Sequence, residues 1–193
     1  MKSSIHPIKA DHIKSDHRTV LSDIKTLRKR ARQHVEDGAV TRGYAADLDA
    51  VIKLLNQSLA TELVCVLRYR RHFFMAKGIH AESVKAEFLA HAAEELAHAD
   101  LIAKRIVELG GEPDFSPDTL SVRSHAEYVE GHTLNAMIKE DLIAERIAIE
   151  SYREMIVYLG EHDPTTRRLL KEILAVEEEH ADDLASLLQS FKA

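Results

Sequence analysis

Tryptophan is absent from this sequence, cysteine occurs once, and glycine (seven) and proline (four) are scarce among 193 residues. With Cys65 as the lone thiol, no internal disulfide framework can form, and a reducing compartment is the natural setting. So few helix breakers in so long a chain favour long helices. No run approaches the roughly 20 apolar residues of a membrane helix, and MKSSIHPIKADHIK lacks the apolar centre of a secretory signal. The expectation is a cytoplasmic protein that makes no membrane contact. Strand alternation, short tandem repeats and low-complexity tracts are also missing. What remains is 45% hydrophobic and 30% charged, an ordinary balance for a soluble domain with a sizeable core.

The net charge of -6 conceals an asymmetry. Residues 1–34 hold nine Lys/Arg against three Asp, and the remainder holds 17 against 29. A basic arm of this kind is either a solvated, partly helical extension or a nonspecific contact for DNA; LRKRAR at 27–32 has no base-reading signature. The acidic body attracts cations.

Helical periodicity organises the chain. Val20, Ile24, Leu27, Ala31 and Val35 give the leader one narrow apolar stripe, stopped by Gly38. From Asp47 to Lys77 the spacing of Val51, Leu54, Leu55, Leu59, Leu63, Val66 and Leu67 predicts a first long helix. A second runs from about Ala81 to Leu109, with Val84, Phe88, Leu89, Ala92, Leu96, Ala99, Ile102, Ala103 and Ile106 facing inward, and ends at Gly110-Gly111. Residues 112–124 hold two prolines and read as a crossover. A third helix is predicted over His125–Leu159 and a fourth over Thr165–Phe191. The fold class is therefore all-α: a basic extension over residues 1–46 and a four-helix bundle over 47–193, with its long connection between helices two and three.

Only two of the 19 glutamates have a histidine three places on, Glu95 with His98 and Glu177 with His180. Chance alone would give about one such pair, so the count decides little. Placement decides more. Both pairs fall in long helices, where a spacing of three sets two side chains on one face. The helix before each pair adds a carboxylate among aliphatic residues: Glu62 in SLATELVCVL and Glu145 in DLIAERIAIE, with Glu150 the alternative to Glu145. Taken singly, each glutamate reads as a surface residue. As a doubled unit, four inward carboxylates and two imidazoles need two divalent cations to balance their burial, which describes a dinuclear metal site.

With those motifs the chain resembles the ferritin-like di-iron proteins, most closely bacterioferritins and the bacterioferritin-like, Dps-type miniferritins, over about Leu54–Leu188. LLNQSLATELVCVLRY resembles the family's first helix and AEELAHADLIAKRI its second. The resemblance implies a ferritin-like bundle holding two iron ions per subunit, manganese being the other candidate. Glu62 and His98 would hold one metal, Glu145 and His180 the other, and Glu95 and Glu177 would bridge them. Tyr69, seven residues after Glu62, matches a tyrosine that the family sets beside the site as a catalytic partner. Leu96 stands where haem-binding bacterioferritins carry methionine, so no haem is expected. Only 13 residues follow His180, too few for the fifth helix of 24-subunit ferritins, so the homo-oligomer implied is a 12-subunit shell rather than a 24-mer.

The function implied is iron storage and detoxification: a ferroxidase that oxidises Fe2+ with O2 or hydrogen peroxide. A manganese catalase, another di-metal oxidoreductase, and a DNA-coating protective protein of the Dps type are the alternatives. His91 shares the face of His98 and reads as a packed or exposed histidine, or as an accessory iron site. Cys65 reads as a small buried hydrophobe, or as a redox thiol one turn from Glu62.

Overall fold

Three of the four long helices begin where a short polar side chain takes over a backbone donor that the first turn leaves free. A computed structural model describes residues 21–190. In it Asp47 accepts from the Ala50 N–H at 3.1 Å, Thr133 from Ala136 at 3.1 Å and Asp163 from Thr166 at 2.9 Å. The helices are α1 (Ile24–Arg30), α2 (Leu48–Met75), α3 (Ala81–Glu108), α4 (Leu120–Arg123), α5 (Leu134–Leu159) and α6 (Pro164–Ser190). No strand occurs among the described residues.

Short turns join α2 to α3 and α5 to α6, and the two hairpins pack together through α2 against α5 and α3 against α6. Two apolar layers form between them. One contains Leu55, Leu59, Ile102, Ile106, Tyr152, Leu170 and Ile173; the other contains Tyr69, Val84, Phe88, Ile138 and Leu184. Buried polar residues lie between the layers in sequence on all four helices: Glu62, Glu95, His98, Glu145, Glu177 and His180. Helix α2 is long and apolar enough to cross a bilayer by length and composition, a property the sequence reading did not credit to it. Its apolarity serves the core, since the same helix buries Ser58, Thr61, Glu62, Arg68 and His72 inside the bundle.

Three expectations are corrected. The third helix begins at Leu134, not His125, because α2 claims the backbone that would continue it. Arg68 Nη1 donates to the Glu127 carbonyl at 2.8 Å, Arg71 Nη1 to the Glu130 carbonyl at 2.6 Å, and the His72 ring contacts that same carbonyl at 2.8 Å. Gly131, at φ 61, completes the bend just before Thr133 caps α5. Further back, Asn56 binds the Glu112 carbonyl and the Asp114 N–H, and Thr61 Oγ1 accepts from the His125 N–H, so the whole crossover is strapped along α2.

The second correction concerns α3, where Leu89 and Leu96 lie exposed while the inward stripe runs through Val84, Phe88, Ala92, Glu95, Ala99, Ile102 and Ile106. The third concerns the leader. Its helix is seven residues long, a 3₁₀ turn follows at Val35–Asp37, and Leu21, Ile24, Leu27 and Val35 are all exposed. A narrow stripe with no surface to cover cannot prolong a helix, since isolated short helices are marginal in water. Residues 1–20, including Val20 and most of the basic arm's first half, and the end of the fourth helix at Phe191 lie outside the described residues.

One buried network locks the α5–α6 turn to the rest. Asp163 accepts from Thr166, from the Tyr44 hydroxyl at 2.9 Å and from Arg105 at 3.2 Å, and Arg105 Nε reaches Thr166 Oγ1 at 2.8 Å. Asp163→Ala removes a cap and leaves the Arg105 guanidinium with the half-exposed Glu108 as its one carboxylate among the described residues, so unfolding stability should fall by about 3 kcal/mol. Denaturant titration at fixed protein concentration measures it; a loss below about 1 kcal/mol contradicts this account of the turn.

Candidate metal centre

Four helices each bring polar side chains to the layer between the apolar cores. Helix α2 contributes Glu62 and Tyr69, α3 Glu95 and His98, α5 Glu145 and Tyr152, and α6 Glu177 and His180. All eight are buried. Two groups of four emerge. Atoms of Glu62, Glu95, His98 and Glu177 lie within 4.8 Å of one another, as do atoms of Glu95, Glu145, Glu177 and His180. Glu95 and Glu177 belong to both groups, the position a bridging carboxylate occupies. Glu150, the alternative to Glu145, is exposed and paired with Arg153.

Both histidines turn Nδ1 inward. His98 Nδ1 stands 2.9 Å from Glu177 Oε1, 3.5 Å from Glu95 and 3.6 Å from Glu62. His180 Nδ1 stands 3.5 Å from Glu95, 3.6 Å from Glu177 and 4.0 Å from Glu145. Proximity here is not pairing. Glu95 Oε1, Glu145 Oε2, both Glu177 oxygens and the two Nδ1 atoms are buried without an aligned hydrogen-bond partner. Orphaned acceptors are uncommon in protein interiors, and these point toward shared centres rather than at one another. Cations about 2.1 Å from each ligand would satisfy them, and the mixed carboxylate and imidazole set suits iron or manganese. The residues fit such ions.

Sequence reasoning placed Tyr69 beside this cluster but missed Tyr152. The Tyr69 hydroxyl donates to Glu145 and the Tyr152 hydroxyl to Glu62, each in a short hydrogen bond. The signal was present: each tyrosine follows a glutamate by seven residues, 62 to 69 and 145 to 152. Each phenol binds the carboxylate of the opposite helix, so the site has an approximate internal twofold relation. Burial and the facing carboxylates raise both phenols well above 10, which keeps them protonated donors.

Two further groups were left aside at the sequence level. Glu94 Oε2 holds the outward His180 Nε2 at 2.6 Å. Asp141, one turn before Glu145, is buried between Arg68 Nε and His72 Nδ1, each at 2.8 Å. That triad carries no sequence motif. The Cys65 thiol is raised by burial and accepts from Arg68 Nη2 at 3.6 Å, so it stays a protonated packing group, not a reactive thiolate.

A four-helix bundle with a central carboxylate and imidazole cluster defines a class of metal-binding helical proteins. The comparisons make that specific. The ferritin-like domain family matches residues 52–193, and the chain belongs to it. Bacterioferritin from Mycobacterium avium is 30% identical over 140 residues, spanning 72% of this chain and 84% of the relative. Bacterioferritin from Mycobacterium tuberculosis is 31% identical over 141 residues, with the same shares covered. Among solved structures, a dodecameric thioferritin, the bacterioferritin-related protein of Bacteroides fragilis, superposes with a TM-score of 0.74 at 32% identity, covering 77% of this chain and 89% of that one. Dps from Thermosynechococcus elongatus, 21% identical, shares the fold with a TM-score of 0.70, covering 72% of this chain and 90% of its own.

Protonation balances the cluster when no cation does. Burial, then the charges of Glu177 and Glu95, raises Glu62 well above 4.5; burial, Glu95 and Glu177 do the same to Glu145. Burial opposes charge on His98 and His180, yet the carboxylates around them push the rings up to about 12 and about 10. Burial likewise opposes charge on Glu95, but the proton on Glu62 and the two imidazolium rings draw it well below 4.5. The four raised groups contribute stability at low pH that is lost as pH rises, the carboxyls above about 4.5 and the histidines between 6.5 and 10 to 12. Glu95 contributes above 4.5 and loses its share on acidification. Metal-free protein should therefore lose thermal stability steadily from about pH 5 to 9, and saturating Co2+ should reverse the slope because cations displace those protons. Melting curves with chelator and with Co2+ across that range test both signs; parallel curves would contradict them.

Proposed function

We propose that this protein is a ferroxidase that stores and detoxifies iron. The observation that carries the reading is the set of six buried side chains whose unsatisfied atoms surround two neighbouring positions, with Glu95 and Glu177 common to both. Iron is the substrate here. Two Fe2+ give up one electron each; O2 takes the pair with two protons and leaves as hydrogen peroxide, or hydrogen peroxide takes the pair with two protons and leaves as two waters. Glu62 and His98 hold one ion, Glu145 and His180 the other, and Glu95 and Glu177 join them.

The protein's own groups set the conditions for this exchange. Four carboxylates offset the charge of two Fe2+ and favour the higher charge of the oxidised product. Tyr69 and Tyr152 fix the Glu145 and Glu62 carboxylates, and Glu94 orients His180 through its outer nitrogen. With apolar layers above and below, water reaches the cluster only from the side, which keeps the charge interactions strong.

The oxidised product then goes to a mineral store inside a homo-oligomeric shell, with twelve subunits the favoured count. Leu67, Leu89, Leu96 and Leu101, exposed on α2 and α3, supply apolar surface for contacts between copies. The same exposed Leu96 offers no thioether to a haem. The described part of the leader supports a nonspecific role for the basic arm at an acidic surface such as DNA, because α1 packs nothing into the bundle and exposes Lys25, Arg28, Lys29 and Arg30. The cytoplasm, as a reducing compartment that holds Fe2+, is the proposed location.

Stopped-flow absorbance after Fe2+ addition to metal-free protein tests the assignment. Glu95→Ala should slow oxidation by roughly 100-fold or more, and Tyr152→Phe by roughly 10-fold through loosening of Glu62. Oxidation by Glu95→Ala at the wild-type rate defeats the proposal. Sustained O2 release from hydrogen peroxide with bound manganese, and no mineral, would indicate the catalase reading instead.

A further inference from the structure

A second constellation lies on the α3–α6 face, outside the cluster already described. His91 is buried on α3, two turns before His98. Its Nδ1 meets the Tyr69 hydroxyl at 3.2 Å, and its ring stacks on His180 with centroids 4.0 Å apart and planes 19° from parallel. Those two contacts fix the ring and aim Nε2 away from the dinuclear pair. There it faces Glu87 Oε2, one turn earlier on α3, and Asp183 Oδ2 of α6, each at 3.9 Å.

That separation is too long for a hydrogen bond, so Nε2 of a side chain only 3% exposed has no direct partner among the described residues. The three ligand atoms lie within 4.8 Å of one another. An ion about 2.1 Å from each of two ligands spans at most about 4.2 Å between them, so the observed spacing closes with a small rotation of the two carboxylates. Both are free to make it. Glu87 is 44% and Asp183 51% exposed, and neither pairs with a lysine or arginine among the described residues.

We propose that Glu87, His91 and Asp183 form a third divalent-cation site, open to solvent, that stages Fe2+ for the dinuclear centre. One route links the two. His91, Tyr69 and Glu145 form a continuous hydrogen-bonded path, and Glu94, one turn beyond His91 on α3, holds the outer nitrogen of His180. Carboxylates and imidazoles therefore extend from the surface to the cluster along a single face. The binding site stands on its own geometry, while its staging role rests on the proposed ferroxidase reading.

Crystals of the full chain soaked in Co2+ provide the first test, through anomalous difference maps. Density about 2.1 Å from His91 Nε2 is expected in wild type, together with density at both cluster positions. In Glu87→Gln/Asp183→Asn the His91 peak should vanish and the cluster peaks remain; equilibrium dialysis should fall from about three to about two Co2+ per subunit. In Glu95→Ala/Glu177→Ala the reverse holds, so a failure of the third site and a failure of the dinuclear reading give different maps. A wild-type map with filled cluster positions and nothing at His91 overturns the site. For staging, Glu87→Gln/Asp183→Asn should oxidise Fe2+ roughly fivefold more slowly at limiting Fe2+ and at the wild-type rate at saturation. Equal rates at every Fe2+ concentration overturn that role.

Discussion

Repulsion among four buried carboxylates is the constraint on which this molecule depends. An isolated charge carried into a protein interior costs several kcal/mol even after relaxation, and a domain's whole stability is only about 5–15 kcal/mol. Glu62, Glu95, Glu145 and Glu177 cannot all be ionised and unbalanced in one layer. Protons on Glu62, Glu145 and the two histidines offer one solution; two cations offer the other. The apolar layers on either side make both solutions structural, because they leave little room for water to screen the charge. Metal affinity and proton affinity are thus two expressions of one packing decision.

The polar layer is built twice from the same parts. Each hairpin supplies a glutamate, a tyrosine seven residues later, and a Glu-x-x-His pair on its second helix. The tyrosines cross over, so each hairpin's phenol steadies the other's carboxylate. This exchange ties the geometry of the cluster to the docking of the two hairpins, and small slips between them would separate the phenols from their acceptors. The buried Arg68, His72 and Asp141 triad reinforces the same α2–α5 contact. Strapping of the crossover by Asn56, Thr61, Arg68, Arg71 and His72 completes it, so α2 acts as the reference element for both the site and the connection.

Periodicity made the bundle and its six convergent residues legible, because helical spacing fixes which side chains share a face and each of the six sat on an otherwise apolar stripe. Tyr152 was equally legible in principle, since it repeats the offset of Tyr69. The start of α5 was not. Residues 125–133 have no helix breaker before Gly131, and what unwinds them is a set of side chains some 60 positions earlier that capture their carbonyls. Leu89 and Leu96 misled for a related reason: a helix that carries apolar residues all round does not announce which of its faces meets its own chain. The Asp141 triad left no trace either, as Arg, His and Asp at those spacings are common on solvated helices.

The approximate twofold relation breaks at the histidines, and the break gives the site a direction. His180 has a carboxylate, Glu94, on its outer nitrogen and a second imidazole, His91, stacked on its ring. His98 has no hydrogen-bond partner on its outer nitrogen among the described residues, and the residue before its paired glutamate is the acidic Glu94 where Val176 stands in the other hairpin. The polar groups of the Arg68, His72 and Asp141 triad on the α2–α5 side are bonded to one another and to the crossover, whereas those on the other side, Glu87, His91 and Glu94 of α3 with His180 and Asp183 of α6, run from the surface to the cluster. A cation crossing from water to the buried layer must replace its hydration with protein ligands step by step, and this is the side on which the steps exist. The proposed centre is symmetric in what it binds and asymmetric in how it is approached, which is what a site that must load from solvent while remaining dry requires.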